Sequence, residues 1–395
     1  MSADLSLARR VAWIWIVVAG GFYGYDMLRD TGDSLTVNGR PLGDDFVNYW
    51  SGAFLAWHGR AAEVYNWPVY HAFQQSIVGA TVGPFHYSYP PVLLVLTAPL
   101  ALFPYIPGLV AWLVAGWFAF YRALRLAVPG RDAVLLALAA PAVFVNAYGG
   151  QNGTWTAAFF GGGLCLLQRR PFVAGMLFGL MIYKPHLGLL IPVALLAGRQ
   201  WRAIAGAAIS AGALIATSVL LLGPEIWRDY LHFGTFLRQT ILEQGAGGWH
   251  RLVSVFVSAR LLGADVQSAY VAQAAVGLIA AAVVALAWFR DAPAAIRYAL
   301  LVLGTFLATP YLLDYDMVVG AFVAVWLTRP ESVVHHSERT VLITVGLVLI
   351  APLFAALLTN TTGFALGPLF VIPAFVLAAR AAFGEPVLRP AATMR

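Results

Sequence analysis

Apolar runs dominate the chain and are interrupted by a few short polar phrases. After a first run over residues 11–28, a segment of mixed character covers 29–87. Apolar segments then recur at 88–103, 107–126, 131–147, 152–168, 172–183, 187–198, 203–222, 268–289, 297–309, 315–327, 341–358 and 365–381. Uncharged runs such as Ala203 to Leu222 are too long for a soluble core and read as membrane spans. The pattern predicts one all-α polytopic membrane domain over 1–395, with about 11–13 transmembrane helices. Several segments hold only about 12–15 residues, short of the ~20 that a full crossing needs. Short pairs meet at Tyr183-Lys184-Pro185-His186 and between Thr309 and Asp316. Broken helices at membrane depth are tolerated where they line a protein cavity, so both breaks point to a site.

The 29–87 segment is far longer than an ordinary connection, which marks it for function. Within it Phe46, Tyr49, Trp50, Phe54 and Trp57 recur mostly at three- and four-residue spacing. That spacing predicts an amphipathic helix lying in the membrane interface, and a shorter piece around Val69 to Ile77 repeats it. A second large polar loop covers 223–251. The positive-inside rule assigns Arg9-Arg10, Arg122, Arg125, Arg169-Arg170, Arg199, Arg202, Arg290, Arg297, Arg329, Arg339 and Arg380 to the cytoplasm, together with the short tail from Gly384. Alternation then puts Asp44-Asp45, Gly149 to Asn152, Lys184 to His186, the 223–251 loop and Asp314 to Asp316 together on the extracytoplasmic face. This arrangement requires 88–103, with Pro90, Pro91, Pro99 and nearby Pro104, to dip into the membrane and return. Arg9-Arg10 before the run from Val11 is similar to a secretory signal. No small-x-small cleavage site follows, so an uncleaved first span is expected.

Composition narrows the chemistry. The chain is 61% hydrophobic and 11% charged, against about 25% charged in soluble domains. Its net charge of +6 comes from arginines scattered at span ends, so the basic stripe that nucleic-acid binding needs is missing. A single cysteine, Cys165, excludes an intramolecular disulfide and any multi-cysteine metal site. No nucleotide-binding glycine loop and no zinc spacing are present. Neither a cofactor nor a metal is expected.

Against that background a few ionisable residues stand out. Carboxylates are scarce: 18 in the chain, with Asp132 alone between Val64 and Leu222. The adjacent pair Asp44-Asp45 offers a general base that takes a proton from a hydroxyl nucleophile. It equally offers a helix cap with a first-turn acid. Lys184 is the sole lysine beside 23 arginines. A compact ammonium at a helix break suits an anionic partner such as a phosphate, or a lysine snorkelling from a helix end. His186 can donate to the same anion or act structurally. Gly149-Gly150-Gln151-Asn152-Gly153 supplies close backbone approach and amide groups suited to sugar hydroxyls. His250 and Arg251 sit where the outer loop re-enters apolar sequence and suit a charged ligand. Asp314 and Asp316 flank Tyr315 at a break, where they can bind hydroxyls or satisfy loose backbone groups.

Taken in order, Asp45-Phe46-x-x-Tyr49-Trp50, Tyr87-x-Tyr89-Pro90-Pro91, Gly150-Gln151-Asn152, Lys184-Pro185 and Pro310-Tyr311-x-x-x-Tyr315-Asp316 resemble glycosyltransferase family 87 of the GT-C superfamily. The resemblance covers about residues 43–320. It implies a GT-C-type bundle and an inverting transferase with an extracytoplasmic active site in a bacterial plasma membrane. It also implies a polyprenyl-phosphate sugar donor, often mannose, and a lipid or glycan acceptor among membrane lipids. The base would be Asp45 and not Asp44, which becomes a cap or a neighbour that raises proton affinity. Lys184, His186, His250 and Arg251 would hold the donor phosphate. Asp44, Tyr49, Tyr89, Gln151, Asn152, Tyr311, Asp314 and Asp316 would contact substrate. From another class, the same broken helices and buried charge suit a transporter or flippase of a lipid-linked substrate. A non-catalytic assembly partner is a third reading. The Asp-bearing first outer segment favours the enzyme.

Overall fold

The computed structural model describes residues 2–28, 36–37, 40–80, 82–128, 130–246, 248–329 and 337–384. Residues 29–35 of the first loop and the tail beyond Gly384 therefore lie outside the described residues. Among the described residues the chain is all-α apart from one two-stranded hairpin, β1 Thr36–Val37 with β2 Arg40–Pro41. A long first helix, α1 (Ser2–Leu28), precedes it.

Three short helices follow: α2 (Phe46–Trp57), α3 (Trp67–Val78) and α4 (Val92–Thr97). Six residues of α4 and five of 3-10 helix (Ala98–Leu102) fall well short of a crossing. Both pack on α2, as a dipping segment would. In sequence order come α5 (Tyr105–Leu124), α6 (Arg131–Ala139), α7 (Pro141–Tyr148), α8 (Gly153–Leu166), α9 (Pro171–Leu180), α10 (Ile191–Ala197), α11 (Trp201–Leu222) and α12 (Glu225–Leu237). Then come α13 (Val255–Leu261), α14 (Val266–Phe289), α15 (Ala294–Ala308), α16 (Gly320–Leu327), α17 (Glu338–Thr362) and α18 (Gly367–Phe383).

Among the described residues, α5, α11, α14 and α17 are long and apolar enough to cross a bilayer, and α6 with α7, bent by 56° at their junction, would be a fifth if the pair is one span. Their outer faces carry exposed side chains such as Leu220, Leu278 and Leu342, as expected of helices facing lipid. Other apolar helices, α9 and α10 with their 3-10 turns, α15 and α18 among them, are 10–17 residues long, so four to five helices are long and apolar enough for a crossing where the sequence pattern predicted about 11–13 transmembrane helices. The fifteen-residue α15 is buried from Ala295 to Ala308 and forms the central post, since a helix apolar all round must be enclosed. Around it pack α14, α16 and α18, while α11 lies along α9, and α8 between α5 and α9.

Two contacts tie together ends that the charge pattern put on one side. Arg9 pairs with Asp132 at 2.9 Å, and Arg329 Nη2 donates to the carbonyl of Ala127 at 3.3 Å.

One expectation about the first loop fails. The helix over 46–57 is not amphipathic at an interface: Phe46, Val47, Asn48, Tyr49, Trp50, Ser51, Gly52, Ala53 and Leu55 are all buried. Spacing of the aromatics marked one apolar face. The polar and small residues between them are covered as well, because Tyr70 and Gln74 of α3 close over Asn48, while Tyr87, and Leu94 of α4, close over Gly52. Helix α3 does keep one buried stripe, Tyr70, Gln74 and Val78, and is amphipathic as expected.

Candidate active site

Three clusters of buried apolar residues meet at one place. Tyr183 belongs to the cluster under the first loop, Leu187 and Leu312 to the main bundle, and Tyr311 and Leu313 pack on a third cluster around Phe256. The polar phrases singled out in the sequence converge at this junction.

The first strand of the site is the turn into α2. The Asp44 amide donates to the Pro41 carbonyl and the Phe46 amide to that of Gly43, each at 2.7 Å. Asp44 takes a left-handed φ of 45°, which Asp and Asn tolerate better than other side chains. Its buried carboxylate is gripped by Arg40 through Nε and Nη2, both at 2.8 Å, and lies 3.7 Å from Arg251 Nη1. Asp45 follows at the N-cap position of α2, yet its side chain caps nothing. The capping role read for this pair is therefore corrected for both residues. Asp44 is spent on arginines, and the Asp45 carboxylate accepts from no backbone N–H of the helix end. Oδ2 of Asp45 accepts from Gln151 Nε2, and Oδ1 receives a long contact from Asn48 Nδ2 at 3.4 Å.

Gln151 reaches Asp45 because two glycines let three backbones touch. Gly150 has φ of 57°, and a Cβ there would lie 2.2 Å from the Gly43 carbonyl oxygen; one on Gly153 would lie 2.1 Å from that of Tyr315. The Gly-Gln-Asn-Gly phrase is thus clamped between the Asp45 turn and the Asp314–Asp316 turn. Gln151 Oε1 accepts from the Tyr49 hydroxyl at 3.0 Å, and that hydroxyl pairs with Tyr89 at 2.8 Å. Asn152 is buried, and neither amide atom has a partner.

Lys184 sits at the break between the 3-10 extension of α9 (Met181–Tyr183) and Pro185. Its ammonium pairs with Asp316, and the two side chains are 2% and 0% exposed. It also lies 4.5 Å from the Tyr315 ring centroid. Arg251 grips Asp314 through Nε and Nη2, each at 3.0 Å, a bidentate geometry that fixes the guanidinium plane. Its Cζ lies 5.7 Å from the same Tyr315 ring. The Arg251 turn is pinned to the Asp314 turn by the Val253 amide donating to the Leu312 carbonyl at 2.8 Å. His186 stacks edge-on to Tyr311 at 5.9 Å, with its Nε2 buried and unpaired. His250 is half-buried beside Arg251. Every residue singled out from the sequence thus lies in or beside one cluster.

The sequence profile of glycosyltransferase family 87 matches residues 87–310, more than half of the chain. The chain belongs to glycosyltransferase family 87. Family 87 enzymes are GT-C-type membrane glycosyltransferases, so the resemblance read from the ordered motifs holds, and the protein is a membrane transferase. The matched stretch contains Tyr89, Gln151, Asn152, Lys184, His186, His250 and Arg251. Asp44, Asp45, Tyr49, Tyr311, Asp314 and Asp316 lie outside it. No curated protein and no solved structure matches the chain.

In this family 87 enzyme the charges are divided unevenly. Asp44, Asp314 and Asp316 each have a cation within ion-pair distance, supplied by Arg40, Arg251 and Lys184. Asp45 has none among the described residues, and it keeps some accessible surface. Burial, and then the charge of Asp44, push its carboxyl up to about 6, against the opposing pull of Arg251, Gln151 and Arg40. A carboxylate raised into that range is matched to proton transfer near neutral pH. Sequence reasoning missed Arg40 and the central place of Tyr315. Arg40 carried a signal, standing four residues before Asp44. Tyr315 stood inside a recognised motif but is the platform under both cations.

Proposed function

We propose that the enzyme transfers a hexose, mannose or a close relative, from a polyprenyl-phosphate donor to a hydroxyl of a lipid or glycan acceptor. Transfer takes place with inversion on the extracytoplasmic face of a bacterial plasma membrane. Asp45 is the base. It takes the acceptor hydroxyl proton as the acceptor oxygen bonds to the anomeric carbon, and the bond from that carbon to the phosphate oxygen breaks on the opposite side. The electron pair leaves with polyprenyl phosphate. The single observation that carries this reading is the isolation of Asp45. It is the site carboxylate that faces amide groups instead of a cation, so its lone pairs remain available to a hydroxyl.

The leaving phosphate gains charge in the transition state, and fixed cations stabilise that gain more than the ground state. Arg251 keeps 20% of its side chain exposed, so it meets the donor phosphate first, with His250 beside it. Lys184 acts from beneath, and His186 contributes its unpaired Nε2. Asp44, Asp314 and Asp316 hold these cations in place. Asn152, with both amide atoms unpaired, and the partly exposed Tyr311 read sugar hydroxyls.

Mass spectrometry of lipids co-purifying with the protein tests the donor class. Polyprenyl phosphate or its hexose conjugate is the expected species, and a bound nucleotide sugar would overturn the assignment.

A further inference from the structure

We infer that Gln151 is the positioning residue of Asp45, and that Tyr49 and Tyr89 act through it by fixing which end of its amide faces the carboxylate. This rests on the reading of Asp45 as base. An amide presents donors at one end and an acceptor at the other. Turned one way it steadies a carboxylate; turned the other, two acceptors oppose each other. In this site the choice is forced. Oε1 of Gln151 accepts from Tyr49 at 3.0 Å, which leaves Nε2 to donate to Asp45. Tyr49 spends its one hydrogen on Gln151, so in the 2.8 Å contact between the two hydroxyls Tyr89 must be the donor. Donors therefore run in one direction from Tyr89 through Tyr49 and Gln151 to Asp45, and such aligned chains strengthen each link.

The chain is rigid because it is enclosed. Tyr49 and Gln151 are fully buried, and Tyr89 nearly so. Tyr49 stands four residues after Asp45, on the same face of α2. The Trp112 ring lies 5.1 Å from that of Tyr49 and holds the carbonyl of Gly150 through its indole N–H at 3.2 Å. The other carboxylate oxygen repeats the device. Asn48 Oδ1 accepts from Gln74 Nε2 at 3.0 Å, so its Nδ2 is the end turned to Asp45 Oδ1. Both oxygens of the base are thus faced by amide N–H groups whose carbonyl ends are occupied elsewhere. Tyr49, Tyr89 and Gln151, read from the sequence as substrate contacts, are better described as its support.

The readout is the acid limb of the pH dependence of kcat/KM, measured on the full-length enzyme in detergent with polyprenyl-phosphate mannose as probe. Asp44 and Arg40 on the same segment, Arg251 from the outer loop and Lys184 from the helix break act on Asp45 through their charges, the cations from beyond ion-pair distance, and are unchanged in the test variants. His250, which burial and then Arg251 hold below the ordinary histidine range, is untouched, while the surrounding tyrosines, ordinarily near about 10, stay neutral. Without the hydroxyl of Tyr49 the amide is free to turn, and the ionised base loses part of its support.

Tyr49→Phe should move the limb to higher pH. Activity falls roughly three- to tenfold at pH 6, within the reach of one hydrogen bond to a charged group, and recovers at pH 8 with an unchanged donor KM. Tyr89→Phe should move the limb the same way by less. Gln151→Glu, which keeps the shape but sets an oxygen against Asp45, should move it furthest. A uniform loss at every pH, or a raised donor KM with an unmoved limb, would overturn the inference. If Asp45→Asn stays active the base reading falls as well. An inactive Asp45→Asn with an unmoved limb in the other variants defeats this inference alone.

Discussion

Asparagine in place of Asp45 should lower transfer by about 10²- to 10⁴-fold, the range that a positioned general base contributes. The loss falls on kcat. Donor affinity should persist, because the cations of the site are held by Asp44, Asp314 and Asp316 and not by Asp45. Asparagine also keeps the size and the hydrogen-bonding reach of the side chain, so the turn into α2 and the contact with Gln151 survive. Single-turnover transfer, read beside equilibrium donor binding, separates the two effects. Wild-type turnover in that variant would remove Asp45 from the chemistry.

The second large effect concerns stability as much as catalysis. Lys184→Met leaves the Asp316 carboxylate buried without its cation. Removing one partner of a buried pair costs about 3–5 kcal/mol, and the variant should melt well below the wild type in detergent. Replacing both partners, Lys184→Met with Asp316→Leu, should recover much of that loss, since apolar pairs of similar volume often substitute for buried ion pairs. It should not recover transfer, because the cation proposed to lie beneath the leaving phosphate is gone. A single variant that melts with the wild type would show that the pair carries no structural load. Full activity in the double variant would refute the role of Lys184.

Much of this arrangement was legible in the sequence because rarity in a membrane chain is informative. One lysine among arginines and one Asp-Asp pair ahead of a long acid-poor stretch lie within the same cluster. The short apolar segments around Lys184 and Asp316 marked the helix breaks that bring these residues together, and the prolines around 88–103 marked a segment too short to cross. Two things were not legible. Spacing alone read α2 as a surface helix, because periodicity records which residues are apolar and not which neighbours cover the polar ones between them. Asn48 and Ser51 are buried by tertiary packing that no local pattern encodes. The division of labour within the Asp-Asp pair was likewise hidden. Both residues could cap a helix on paper. Arg40, four residues away, and Arg251, from a distant loop, take Asp44 for an ion pair and leave Asp45 to the amides. The glycines at 150 and 153 looked like a loop, and only the approach of the Gly43 and Tyr315 carbonyls explains why no side chain fits there.

The central claim is that Asp45 is a base whose proton affinity is raised by burial and by Asp44. A base works in its deprotonated form, so a carboxyl pushed up to about 6 gives an activity that is full above that pH and is lost as pH falls through it. The pH dependence of kcat/KM for the wild-type enzyme is the most direct measurement. It should rise with unit slope through about pH 6 and level off by pH 8, and the limb should persist in His250→Gln. A profile that stays flat down to the ordinary carboxylate range near about 4, or a limb that vanishes with His250, would contradict the account.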